Sequence, residues 1–226
     1  MWRSFDDHIL PILNSSTPTT ILEIGVLHGK NTLQILEWCS TNNSHLTSID
    51  PVGWTGDIPE HLMAPMDGYI YKRGDETLEK LTITPTGIEE VFEKGLDKNW
   101  TYYKQRSLDF LASPDFQGYD LYLIDGDHNY FTVMQELSSI HNVSKAGDIL
   151  LFNDVTGHWA RNDLYYDPEF IPKEHRNGKK QGVLTAIKDF LDQVSEKRLL
   201  RRINCPYEFK MLTRKNDGIG FLKRLP

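Results

Sequence analysis

Residues 119–130 read YDLYLIDGDHNY. Leu121, Tyr122, Leu123 and Ile124 form a run of strand formers that ends abruptly in Asp125-Gly126-Asp127-His128. An apolar strand that releases two carboxylates and an imidazole at its end is one way an α/β sheet builds a site. Ligands of open parallel sheets sit beyond the carboxyl ends of the strands. The same residues also read as a polar turn in which Asp127 caps the following helix. The flanking sequence bears on that choice.

Upstream, Thr20–Ile24 (TILEI) reads as a buried strand that passes at once into a glycine turn, GVLHGKNT, at 25–32. A helix is expected over 31–40, with Leu33, Leu36 and Cys39 on one face, then a strand, His45–Ile49, closed by Asp50-Pro51. Strand, glycine turn, helix, strand and acid make the nucleotide-binding half of a doubly wound sheet. Before it, Trp2, Phe5, Ile9 and Leu13 recur at helical spacing and predict an N-terminal helix within 1–18. A further strand is expected at 100–105 and a helical turn at 107–111. Downstream, Tyr130, Val133, Met134, Leu137 and Ile140 mark a helix, and 149–152 a strand ending in Asn153-Asp154. Val183, Leu184, Ile187, Phe190, Leu191 and Val194 mark another helix. Two closing strands, near 202–212 and 218–225, are joined through Asp217-Gly218, a hairpin signal.

The 226 residues fit a single domain, 1–226, of α/β class. Segment 52–99 is longer than a crossover needs. Its first part, 52–85, holds Trp54, Tyr69 and Tyr71 among glycines and prolines and is expected to be a lid insertion. Its second part opens a short helix at Thr86, with Glu89 in capping-box spacing. Residues 157–180 are polar and aromatic without a period and are expected to form a substrate-side loop. The exposed aromatics could stack on a substrate ring, pack the loops or serve homo-oligomer contacts.

A net charge of -7 argues against nucleic acid or anionic membrane as a general partner. No apolar run approaches the roughly 18 residues of a membrane span. The start, MWRSFDDHILPIL, lacks the basic region of a signal peptide, and Cys39 and Cys205 suggest neither a disulfide framework nor a metal motif. A cytoplasmic location is therefore expected.

The glycine turn is open to three readings. A phosphate-binding P-loop needs four residues between its glycines and Ser or Thr after the lysine, whereas here three residues intervene and Asn31 follows Lys30. A dinucleotide fingerprint needs a middle glycine, which Val26-Leu27 does not supply. The third reading is the S-adenosylmethionine turn of class I methyltransferases, an acid followed by x-G-x-x-x-G and often x-x-T. Glu23, Gly25, Gly29 and Thr32 match it, with His28 inside the turn. Asp50 could accept both ribose hydroxyls of either a dinucleotide or an adenosylmethionine, or serve as a turn residue before Pro51. Ser107 falls where the strand at 100–105 would meet the adenine edge, or caps a helix.

Taken together, ILEIGVLHGKNT, LTSIDP, YDLYLIDGDHNY, AGDILLFNDV and DGIGFLKR resemble class I methyltransferases of the TylF/macrocin O-methyltransferase and methyltransferase 24 group. The resemblance runs from Thr20 onward and is weakest at 52–99 and 157–180. It implies a Rossmann-like fold, a mostly parallel seven-stranded sheet ending in an antiparallel β-hairpin. It also implies an S-adenosyl-L-methionine-dependent enzyme acting on a small-molecule hydroxyl of sugar or natural-product type. Cofactor residues would be Glu23, Gly25, His28, Gly29, Thr32, Asp50, Ser107, Asp125 and His128. A Mg²⁺ site would use Asp125, Asn153 and Asp154, since Mg²⁺ takes hard oxygen ligands. Asp127 or His128 would be the base, with Asp125 beside them in the catalytic group. The chain departs from the better-known metal sites, which carry Asp-Asp or Asp-Asn after the corresponding strand; here it is Asn153-Asp154. The metal-free alternative has Asp125 and Asp154 hydrogen-bonding the substrate. A nicotinamide-dependent oxidoreductase and a non-catalytic nucleotide-binding member of the fold are the competing functions.

Overall fold

The computed structural model describes residues 5–27, 29–51, 72–73, 76–77, 86–165, 171–176, 178–198, 201–213 and 218–226. The 52–85 segment expected to be a lid therefore lies outside the described residues, apart from two short paired strands, β3 (Lys72–Arg73) and β4 (Glu76–Thr77). Trp2 and His28 lie outside them too.

A sheet of seven strands organises the molecule, in the order β10-β11-β7-β6-β1-β2-β5. Its parallel part is β1 (Thr20–Ile24), β2 (His45–Ile49), β5 (Trp100–Tyr103), β6 (Leu121–Ile124) and β7 (Ile149–Asn153). β10 (Tyr207–Thr213) and β11 (Ile219–Arg224) form the closing hairpin, and β11 runs antiparallel to β7. Period-two alternation feeds two apolar layers. Tyr122 and Ile124 of β6 pack with α4 (Ser107–Leu111), α5 (Tyr130–Val143) and α6 (Val183–Val194). Leu121 and Leu123 pack on the other face with the N-terminal helix and α2 (Lys30–Asn42).

The N-terminal helix is one wider turn, Phe5–Ile9, followed by α1 (Leu10–Ser16); it buries Phe5, Ile9 and Leu13. Pro11 follows the wider turn directly; its ring has no N–H to donate back into that turn. α3 (Thr86–Glu93) follows that segment. The strand expected near 202–212 is in fact two. Arg201–Ile203 (β9) pairs with Glu196–Arg198 (β8) in a separate hairpin, and β10 begins at Tyr207. Asn204, at φ 50°, and Pro206, which lacks a ladder donor, separate them.

Candidate active site

Register aligns the carboxyl ends of the parallel strands. Ile24 lies opposite both Ile49 and Ile124, Ile49 opposite Tyr103, and Ile124 opposite Phe152. The next residues, Gly25, Asp50, Asp125 and Asn153, consequently meet along one sheet edge.

Gly25 has φ +93°, and a Cβ there would lie 2.2 Å from the Asp125 carbonyl oxygen. The glycine turn is thus in backbone contact with the start of the Asp125–His128 turn. Asp50 Oδ2 accepts from the Val26 and Leu27 amides at 2.9 and 3.1 Å, so this carboxylate fixes the turn's shape. Leu27 is held at φ 48° with half its surface exposed. Gly29 (φ +68°) closes on α3: a Cβ on Gly87 would sit 2.5 Å from the Gly29 carbonyl carbon. Gly87 carries no local sequence signal for this contact, because its partner is distant along the chain.

Glu23 is buried beneath the turn. Asn31 Nδ2 donates to Oε1 at 3.0 Å, and Thr32 Oγ1 and Ser48 Oγ each donate to Oε2 at 2.7 Å. Burial pushes the Glu23 carboxyl up to about 7 despite these bonds. Glu23 and Thr32 therefore brace the turn from inside. Ser107, the first residue of α4, donates from Oγ to Glu136 Oε1 at 2.6 Å.

At the end of β6, His128 Nε2 lies 3.4 Å from Asp125 Oδ1 and 3.2 Å from Asp154 Oδ2. One donor atom from each of the three falls within 4.8 Å of the others. Burial works against the imidazolium, but the hydrogen bond to Asp125 and the charges of Asp154, Asp125 and Asp127 raise the His128 pKa overall. Burial likewise opposes the Asp125 carboxylate, and the hydrogen bond from His128 is the largest influence drawing it below its usual range. Asp154 is buried at φ 57° and accepts from Asn153 Nδ2 at 2.8 Å. The Asn153 Oδ1 is buried with no hydrogen-bond partner among the described residues.

Asp127 Oδ2 accepts from Asn129 Nδ2 and, at 3.0 Å, from Thr132 Oγ1. The helix cap itself is Asn129, whose Oδ1 accepts from the Thr132 amide at 2.8 Å. Asp127 thus holds the cap side chain, while His128 faces the two acids.

The loop that follows β7 is stapled to this turn. Leu164 N donates to His128 O at 3.1 Å. Asp163 Oδ1 accepts from Tyr130 N at 2.8 Å and from Gly182 N at 2.7 Å, and Oδ2 accepts from Tyr165 Oη at 2.6 Å. His158 is exposed against Trp159, and His175 packs on Phe131 with ring centroids 4.7 Å apart. Asn129, Asp163 and Glu136 escaped sequence reading. Only Asn129, just before a periodic run, had a recognisable cap signal.

A glycine turn on β1, acids ending β2 and β6, and this strand order define a class I methyltransferase fold. The chain belongs to the methyltransferase-domain family methyltransferase 24, which matches residues 22–155, more than half of its length. Among solved structures, it is similar to the S-adenosylhomocysteine-bound methyltransferase PaMTH1 of Podospora anserina. The TM-score is 0.57 at 14% identity, covering 96% of this chain and 76% of that one. The Bacillus cereus O-methyltransferase in complex with S-adenosylhomocysteine gives 0.54 at 12%, covering 95% and 77%. TomG of Streptomyces achromogenes, an O-methyltransferase of tomaymycin synthesis, gives 0.54 at 14%, covering 96% and 77%. No curated protein matches the sequence. Among the described residues, no helix is long and apolar enough to cross a membrane.

Proposed function

We propose that this methyltransferase transfers the methyl group of S-adenosylmethionine to a hydroxyl of a small molecule, beside a divalent cation held by Asp125 and Asp154. One observation carries the reading: the glycine turn braced by Asp50 touches, at Gly25, the turn that brings Asp125, His128 and Asp154 together. Two carboxylates with a buried amide oxygen, Asn153 Oδ1, next to them suit a hard cation. Such a cation lowers the pKa of a hydroxyl bound to it. In this reading Gly25, Gly29 and the turn amides face the cofactor, and Asp50 takes its ribose. The substrate oxygen bonds to the methyl carbon as the carbon–sulfur bond breaks, S-adenosylhomocysteine leaves, and the hydroxyl proton passes to His128. His128 is preferred to Asp127 because Asp127 is engaged with Asn129 and Thr132. The stapled loop, with Trp159 and Tyr165, would form a wall of the acceptor site.

A cation-free form of the reading is favoured by the contacts of His128 Nε2 to both acids, through which the imidazole bridges them without an ion. Titration calorimetry with S-adenosylhomocysteine, with and without MgCl₂, tests both. Binding is expected, and Mg²⁺-dependent heat separates the two forms. No binding at high micromolar ligand overturns the proposal.

A further inference from the structure

Helix α5 buries two kinds of surface. Val133, Leu137 and Ile140 enter the apolar core, whereas Asn129, Thr132 and Glu136, at three- and four-residue steps, bury a polar stripe beside them. The upper end of the stripe holds Asp127. At its lower end Glu136 is 0% exposed, with Oε1 accepting from Ser107 Oγ at 2.6 Å. Its other oxygen, Oε2, is buried without a hydrogen-bond partner among the described residues. A buried, half-satisfied carboxyl is costly where a leucine would pack, so its presence there calls for a role.

Ser107 suggests the role. It opens α4 just beyond β5, and β5 pairs with β2, whose end carries Asp50. The β5–α4 loop therefore borders the glycine turn and Asp50, and the hydroxyl of Ser107, directly after it, is tied to α5. We propose that Glu136 is a positioning residue for cofactor binding: through Ser107 it fixes the β5–α4 loop against the adenine end of S-adenosylmethionine. The role depends on the cofactor proposed above.

The groups acting on Glu136 are Ser107 from α4 and Asp127 and His128 from the turn before α5. Burial, aided by the Asp127 charge, pushes the carboxyl up to about 8 against the Ser107 bond and the His128 charge. Glu136 therefore keeps its proton at neutral pH. Losing it would put a second negative charge near Asp127.

The test is S-adenosylhomocysteine calorimetry on the full chain from pH 6.5 to 9, comparing wild type, Glu136→Gln and Ser107→Ala, with melting temperatures recorded alongside. At pH 7, Glu136→Gln should bind like wild type, since its amide oxygen can still accept from Ser107. Above pH 8, wild type should weaken relative to Glu136→Gln, by about tenfold at pH 9, as the acid ionises. Titration of the ligand itself affects both proteins alike and cancels in the ratio. Ser107→Ala, which removes only a hydroxyl, should weaken binding at every pH while staying folded. A pH-independent ratio of wild type to Glu136→Gln, or wild-type affinity in Ser107→Ala, overturns the role. Failure of wild type to bind at any pH overturns the cofactor assignment itself, and this role with it.

Discussion

The contact at Gly25 can be tested by adding one methyl group. In Gly25→Ala, an L residue must adopt φ +93°, and its Cβ would press to 2.2 Å of the Asp125 carbonyl oxygen. Holding a non-glycine residue in so sparsely populated a region costs about 1–3 kcal/mol. Forcing two backbones apart adds about 1–3 kcal/mol, as overpacking does elsewhere. The sum is about 4 kcal/mol, or roughly 8–16 °C in melting temperature for a chain of this size. Gly147 supplies the control. It lies before β7, at the opposite sheet edge, with φ +102° and nothing within 4 Å of an added Cβ. Gly147→Ala should lose only the conformational part, about 2 kcal/mol, and should keep its affinity for S-adenosylhomocysteine. Gly25→Ala should lose both stability and at least about tenfold in affinity, because the turn amides and Asp125 shift together. Differential scanning calorimetry and ligand titration on the two variants provide the comparison. Equal melting temperatures with intact binding in Gly25→Ala would refute the idea that the two turns are locked at this point.

Acid–base linkage gives another expectation. Glu23 and Glu136 rise from 4.5 to about 7 and about 8, so the folded chain holds protons that the unfolded chain has released. Their stabilisation is complete below 4.5 and is lost as pH rises through those values, with a slope of up to about 1.4 kcal/mol per pH unit for each group. Urea titrations between pH 5 and 9 should show the decline, and Glu23→Gln should flatten its lower step; an unchanged slope would count against it. Asp163→Ala leaves the Tyr130 and Gly182 amides without this acceptor, at about 1–3 kcal/mol apiece. Hydrogen exchange should then quicken at 157–165 and at the start of α6, and unaltered exchange would show that the loop is held by other contacts. His128→Ala should lower turnover by about 10²–10⁴ once an acceptor is known, with S-adenosylhomocysteine affinity intact; wild-type turnover would remove His128 as the base.

Much of the fold can be read from the chain because the central strands are local, two-faced patterns. TILEI and LYLI alternate between apolar layers, and glycine, acid and Asp-Gly punctuate their ends. The seven-stranded sheet and its terminal hairpin follow from that order. The break at Asn204–Pro206 was missed because a strand's partner, not its composition, decides which sheet it joins.

The sequence also determined which groups stand at the strand ends: Gly25, Asp50, Asp125, Asp127, His128, Asn153 and Asp154. Their allegiance was decided only in three dimensions. Asp127 and His128 are neighbours in the chain, yet one bonds Asn129 and Thr132 at the start of the next helix while the other meets Asp125 and Asp154. Glu23 and Thr32 match a cofactor motif, yet their polar atoms bond each other beneath it. Glu136, one acid within an amphipathic helix, gains its place opposite Ser107 through α4–α5 packing. Local pattern fixes where a side chain is attached; the distant elements packed around it fix what its polar atoms meet, and only the folded chain brings those elements together.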